Sequence, residues 1–307
     1  MGQGHRLTAP HPVAGSIAHQ HVAAVLSTLL AGRAPGAGPV RILDVGVGDG
    51  RFLDFVLRAL PCWRSDLEFE CHGLDVERWT VFEKQGRPRL RAAHPGIDWD
   101  TRLALIPPRA PWPWGDGRFD FITTNQVLEH VEDKAFFFTQ VRRCLAPGGV
   151  AVNLFPVREV VWEGHARMPF VHWLRDPWRR RAMLLFAALG FDRSYRQQQG
   201  RWRDRADFAR RYAEVLARNT AYGSVRELRS VAAACGLTIA FTYTKDYYAA
   251  KLCSYLGLRP RRYVDLGAAE TWLMYALRHV ASITVLLRRD PEALTAPIRR
   301  QEYPART

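Results

Sequence analysis

The sequence predicts an α/β fold: a seven-stranded, mostly parallel sheet with helices on both faces and a largely helical insertion after strand five. Three observations carry this. Short apolar runs alternate with amphipathic stretches from about residue 40 to 156, the pattern of a sheet whose crossovers are helices. A turn with glycine at every second position joins the first run to its helix. The alternation then stops after residue 156 and resumes near residue 224, which brackets an insertion.

The elements follow in order. Ile17 to Leu30 has a helical period and ends at Gly32, and an Ala/Pro/Gly linker covers residues 33–39. Residues 1–38 form this N-terminal helix and linker, and 39–156 the core. The first strand is Val40 to Leu43 with Val45, and its helix carries Phe52, Leu53, Phe55, Val56, Leu57 and Leu60. Phe69–Asp75 is the second strand, and Arg118–Thr124 a further strand on the same edge. Leu145-Ala-Pro-Gly-Gly149 closes a helix, and Val150–Phe155 is a buried strand, the fifth of the sheet. The insertion spans 157–222. A helix over Ser224–Cys235 and a strand over Leu237–Tyr243 resume the core (223–290), with a helix near Ala268–His279 and a last, antiparallel strand at Ser282–Leu287. Residues 291–307 are a polar tail.

The turn after the first strand reads Asp44-Val-Gly46-Val-Gly48-Asp-Gly50. Alternate glycines let the backbone turn sharply and lie against a ligand without Cβ interference. The helix start beyond them offers free N–H groups to an anion. The dinucleotide fingerprint needs its third glycine five residues after the first, and Arg51 stands there. An acid at the strand end is a poor neighbour for pyrophosphate and suits a cationic amino group. Asp75, 25 residues past Gly50, ends the second strand where a carboxylate can accept both hydroxyls of a ribose. These residues, with Phe119-Asp-Phe-Ile122, Val127-Leu-Glu-His-Val131 and Leu145-Ala-Pro-Gly-Gly149, resemble the motifs of the class I S-adenosylmethionine-dependent methyltransferases, small-molecule and glycan type. The resemblance covers about residues 38–156. It implies a Rossmann-like methyltransferase fold, S-adenosyl-L-methionine as cofactor, and a cofactor site drawn from Asp44, Gly46, Gly48, Gly50, Asp75, Asn125 and Gln126. It also implies that the insertion after strand five builds the substrate pocket.

Composition narrows the setting. With 307 residues, 48% of them apolar, the chain can bury a sizeable core. Five scattered cysteines without a Cys-x-x-Cys pair argue against a disulfide framework and a zinc site, and fit a reducing cytoplasm. No signal pattern or membrane-length apolar run is found, so a cytoplasmic protein is expected. The net charge of +14 is carried almost wholly by arginine, in clusters at 179–181, 201–205 and 259–262 outside the core. Solvated arginine faces are as good a reading of these as a polyanion track.

The insertion opens with Trp162-Glu163-Gly164-His165 and Pro169-Phe-Val-His172-Trp173, aromatics to stack a ring and histidines to move a proton. A metal reading of Glu163, His165 and His172 matches no standard ligand spacing, so no metal is expected. Transfer to an alcohol needs a base as the bond forms. The candidates are His165, His130 just past the fourth strand, and His172, with His165 first because an insertion residue can reach the acceptor without supporting the cofactor. Residues 178–191 suit either a buried lid helix or a peripheral membrane contact. The expectation is O-methylation of a small molecule or a cell-surface glycan precursor. Base-amine methylation is disfavoured by Asn125-Gln-Val-Leu128, and the arginines do not make a nucleic-acid enzyme. RNA ribose methylation and a non-catalytic cofactor-binding protein are the alternatives.

Overall fold

The computed structural model describes residues 13–77, 80–198, 200–258, 263 and 266–289. The tail at 291–307 and the arginines at 259, 261 and 262 lie outside the described residues. The strands are β1 (Val40–Val45), β2 (Phe69–Val76), β3 (Leu103–Ile106), β4 (Phe119–Asn125), β5 (Leu145–Pro156), β6 (Trp162–Glu163), β7 (Met168–Pro169), β8 (Thr238–Ala240) and β9 (Ser282–Arg288). The helices are α1 (Ile17–Leu29), α2 (Arg51–Trp63), α3 (Arg87–Ala93), α4 (Trp99–Arg102), α5 (Lys134–Cys144), α6 (Trp178–Ala188), α7 (Arg193–Gln197), α8 (Arg205–Asn219), α9 (Val225–Ala234), α10 (Thr244–Tyr255) and α11 (Ala268–Leu277).

Seven strands form one sheet in the order β3-β2-β1-β4-β5-β9-β8, and β6 pairs with β7 as a separate hairpin. β9 runs antiparallel to both its neighbours, and the pairs among β1 to β5 are parallel. This is the mostly parallel seven-stranded sheet that the sequence predicts. The strands are apolar on both faces because both are covered. Val40 and Ile42 of β1, with Val150, Val152 and Leu154 of β5, face a core filled by Val22 and Leu26 of α1, Phe55 and Val56 of α2 and Tyr247 of α10. Leu43 and Val45, with Ala151 and Phe155, face the opposite core of Phe138 and Val141 (α5), Leu228 (α9) and Met274 (α11). Ser224 and Glu227 build a reciprocal capping box at the start of α9, which fixes where the chain re-enters the core.

Several elements differ from the sequence expectation. β5 begins at Leu145, so Leu145–Gly149 belongs to the strand and the helix before it already ends at Cys144, and the pairing with β4 shifts register between Phe119 and Phe121. β3 has only four residues, too short to leave a period, and received no range above. β8 covers Thr238–Ala240 rather than Leu237–Tyr243, because Tyr243 turns left-handed (φ +71°) to start α10. The apolar residues of α10 follow no helical period, so nothing in the sequence announced it.

The insertion has its own small core, in which Met168, Val171, Met183, Ala187, Phe208 and Leu216 pack where α6 meets α8. α6 is not enclosed on all sides as a lid helix would be. Met183 and Ala187 are buried, but Trp178 (62% exposed), Leu185 (58%) and, just beyond the helix, Leu189 (64%) face outward. No helix among the described residues is long and apolar enough to cross a membrane.

Candidate functional site

Strand order reverses between β1 and β4, so the loops leaving their carboxyl ends diverge and open a crevice, the usual ligand position in open α/β sheets. A cavity of about 550 Å³ lies there. Its floor is the glycine turn, where Gly46 (φ +82°) and Gly48 (φ +54°) adopt the left-handed conformation that favours glycine. A Cβ on Gly46 would strike the Val127 side chain. The Gly46 N–H donates to the Leu74 carbonyl at 2.7 Å, and Gly48 N–H donates to Asp75 Oδ2 at 2.7 Å. Asp75 Oδ1 accepts from Val76 N–H at 2.8 Å. The carboxylate is thus locked in place with lone pairs to spare, and burial raises its pKa.

Gly46, Gly48, Asp75 and Gln126 line this cavity; Asp44, Gly50 and Asn125 do not. Asp44 is buried and accepts from Thr123 Oγ1 at 3.0 Å. Burial pushes its carboxyl up to about 7, against the Thr123 hydrogen bond and with the nearby Asp75 charge adding to the rise. Gly50 serves packing: a Cβ there would stand 3.0 Å from the Gly86 carbonyl. Asn125 Oδ1 is enclosed without a hydrogen-bond partner among the described residues. Gln126 (φ +58°) donates from Nε2 to Ser282 Oγ at 2.8 Å, which ties the loop after β4 to β9.

The far wall comes from the insertion. The β6–β7 hairpin buries Glu163 completely, and a carboxylate so placed must be paired. Three donors answer it. Glu163 Oε1 faces His165 Nδ1 at 2.7 Å and accepts from Tyr222 Oη at 2.7 Å, while Oε2 accepts from Ala166 N–H. Burial alone would raise the Glu163 pKa, but these partners hold it below the ordinary value. Burial likewise works against a charged His165, yet the Glu163 hydrogen bond and charge hold the imidazole above its usual pKa. The His165 carbonyl is fixed by Tyr212 Oη at 2.9 Å and Ser194 Oγ at 3.1 Å. With Nδ1 committed to Glu163, Nε2 is the nitrogen that remains for the cavity.

His130 lines the same cavity, its ring 5.1 Å from that of His165, and its Nδ1 donates to the Asn219 carbonyl at 2.5 Å. Neighbouring Glu129 is buried, with neither carboxylate oxygen hydrogen-bonded by a side chain among the described residues, and burial pushes it up to about 8. His172 is not brought to this cavity. It lines a second one, its Nε2 donates to the Arg158 carbonyl at 3.2 Å, its Nδ1 is enclosed, and burial lowers its pKa.

The profile of the family described as "Methyltransferase domain" matches residues 16–239, most of the chain. The chain belongs to this family. Over 117 residues, 38% of each chain, it is 30% identical to a probable S-adenosylmethionine-dependent methyltransferase of Mycolicibacterium smegmatis. Over 120 residues it is 28% identical to norajmaline N-methyltransferase of Rauvolfia serpentina, 39% of this chain and 37% of that one. The match therefore spans less than two fifths of the length of these relatives. Among solved structures, PKMT2 from Rickettsia typhi superposes with a TM-score of 0.50 at 15% identity, over 95% of this chain and 56% of that one, a likeness of fold.

Within this methyltransferase domain, sequence reasoning missed Tyr222, Tyr212 and Trp112. Tyr222 lies 57 residues from the His165 it supports, Tyr212 47 residues away, and no local pattern marks either. Trp112 enters the cavity wall from the loop after β3, the strand that had no range.

The Glu163–His165 pair has a direct spectroscopic consequence. Titrated by NMR, His165 should show a pKa above the ordinary value of about 6.5. In Glu163→Gln it should fall, because burial is then opposed only by the weaker effect of the Glu129 charge. An unchanged pKa in the variant would mean that Glu163 does not hold the imidazole.

Proposed function

We propose that the protein is an S-adenosylmethionine-dependent methyltransferase that methylates an oxygen of a small molecule or glycan precursor, with His165 as general base. The observation that carries this reading is the single cavity lined by Gly46, Gly48 and Asp75 on one side and by His165, oriented by buried Glu163, on the other.

The residues fit the cofactor. The glycine turn gives a cradle that side chains would fill, and Asp75 keeps acceptor lone pairs for two ribose hydroxyls. When bound, S-adenosylmethionine supplies a methyl group on a sulfonium, an electrophile that needs no further activation. The chain has to hold an acceptor oxygen in line at about 3–3.5 Å and keep water out. Ile106, Val127 and Phe137 supply apolar wall for that. His165 Nε2 takes the hydroxyl proton as the oxygen–methyl bond forms and the sulfur–methyl bond breaks, and the proton then passes to solvent. Glu163 fixes the tautomer that leaves the Nε2 lone pair free and stabilises the imidazolium.

Against a nucleic-acid substrate stands the pairing of the arginines. Arg210 and Arg211 contact Asp207 at 2.8 and 2.9 Å, and Arg196 and Arg205 contact Asp192 at 2.9 and 3.0 Å. Cations pinned on local carboxylates suit a solvated face better than a phosphate track.

Calorimetry with S-adenosylhomocysteine should give micromolar binding, roughly −8 kcal/mol. Asp75→Ala should weaken it by about 1–3 kcal/mol, the cost of lost hydrogen bonds to a charged group. With labelled S-adenosylmethionine and a panel of phenols, catechols and sugars, His165→Ala should keep that affinity and lose about 10²–10⁴ in rate. Because the base must be neutral and its pKa is raised, the wild-type rate should climb through a midpoint above about 6.5, and the variant should lose this limb. Absence of S-adenosylhomocysteine binding would sink the reading.

The outer face of α6 supports a peripheral membrane contact. Trp178, Leu185 and Leu189 are exposed, and the Arg181 guanidinium lies 4.8 Å from the Trp178 ring, an arrangement suited to headgroups above an acyl boundary. Sedimentation should retain the protein on phosphatidylglycerol vesicles more than on phosphatidylcholine, and Leu185→Glu/Leu189→Glu should release it. Equal retention of both proteins would exclude the contact.

A further inference from the structure

A second cavity, about 770 Å³, adjoins the first: Leu216 and Thr220, on and just beyond the last turn of α8, line both. Tyr222 also connects them. It lines the second cavity, packs its ring 4.9 Å from that of His172, and sends its hydroxyl to Glu163, the partner of His165 in the wall of the first.

The charge in the second cavity is unbalanced. Arg175, in its wall, is exposed, and its guanidinium has neither a hydrogen bond nor an ion pair among the described residues. Arg179 is half-buried and donates to the carbonyls of Val171 (3.2 Å), Leu174 (2.9 Å) and Ala213 (3.2 Å); it makes no ion pair among the described residues, and the charges of Asp176 and Glu163 act on it only at longer range. A guanidinium satisfied by carbonyls keeps its full charge. The acid in the wall, Glu159, is engaged: it accepts from Val225 N–H at the start of α9, with Arg278 at 3.8 Å. A third cation, Arg158, bridges to Glu227 at 3.1 Å. Beside these cations Trp173, 46% exposed, has its indole N–H bonded to the Arg158 carbonyl at 2.6 Å, which holds the ring in place.

We propose that this cavity binds an oxyanion, a phosphate or carboxylate, carried on a ring-bearing methyl acceptor, with Arg175 and Arg179 as its cations and Trp173 as the surface for the ring. The proposal rests on the reading of the first cavity as the methyl-transfer site. Two guanidinium groups lining one cavity raise the positive potential there, and their planar donors match an oxyanion. An acceptor anchored there extends past Tyr222 and the end of α8 toward His165, so the second cavity would select acidic acceptors and set which hydroxyl reaches the base.

The test is calorimetry on the full chain with phenyl phosphate, inorganic phosphate and benzyl alcohol, and S-adenosylhomocysteine titrated in parallel. Phenyl phosphate should bind more tightly than inorganic phosphate, because of Trp173, and benzyl alcohol should not bind. Arg175→Ala should weaken phenyl phosphate roughly tenfold or more. Arg181→Ala, which removes an equal charge outside the cavity, should change nothing, and both variants should bind S-adenosylhomocysteine as the wild type does. No phenyl phosphate binding, equal affinity for inorganic phosphate (an adventitious anion site), or an equal loss in Arg181→Ala (general charge attraction) would each overturn the proposal. Failure of S-adenosylhomocysteine alone would instead remove the methyl-transfer reading and, with it, the assignment of the anion to an acceptor.

Discussion

The parallel pairing of β1 with β2 and β4 is the constraint from which the site follows. Val45 at the end of β1 lies in register with Leu74 on one side and Thr124 on the other, so the three strands end within two residues of one level. The next residue of β2 is Asp75, and the chain leaving β1 must turn at once to stay off β4. It does so through left-handed glycines, and the turn brings the Gly48 N–H onto Asp75. The carboxylate and the cradle are therefore placed by sheet register, with the glycines as the only residues that relieve the turn.

A second constraint comes from outside the sheet. Burying Glu163 is costly unless its charge is shared, and the sharing sets the geometry of His165. The three donors come from the β6–β7 hairpin and from the end of the insertion, so the imidazole is oriented only when the insertion is folded. The insertion core around Phe208 and Met183 makes that folding possible, which couples packing far from the cavity to the position of one nitrogen.

Much of this was legible in the sequence because it is local. The glycine turn, Asp75 and the Leu145–Gly149 motif each declare themselves within a few residues, and the order of elements around them determines the sheet. What was not legible is direction. The family resemblance names Asp44, Gly50 and Asn125 together with Gly46 and Gly48, but their places in the folded turn decide which line the cavity, and Gly50 packs instead against Gly86. Likewise His165 and His172 lie seven residues apart, yet the left-handed Phe170 (φ +61°) lies between them and His172 lines a different cavity. Tyr222 joins the site by tertiary folding only, and the four residues of β3 are too few to carry a period.

The central claim is that the cofactor and the base meet in one cavity from opposite sides. A crystal structure with S-adenosylhomocysteine tests it most directly. The account predicts both ribose hydroxyls on the Asp75 carboxylate and the sulfur facing His165 Nε2 across a gap wide enough for one acceptor oxygen. A product molecule bound away from the glycine turn, or a sulfur turned from His165 with Nε2 bonded elsewhere in the protein, would contradict it.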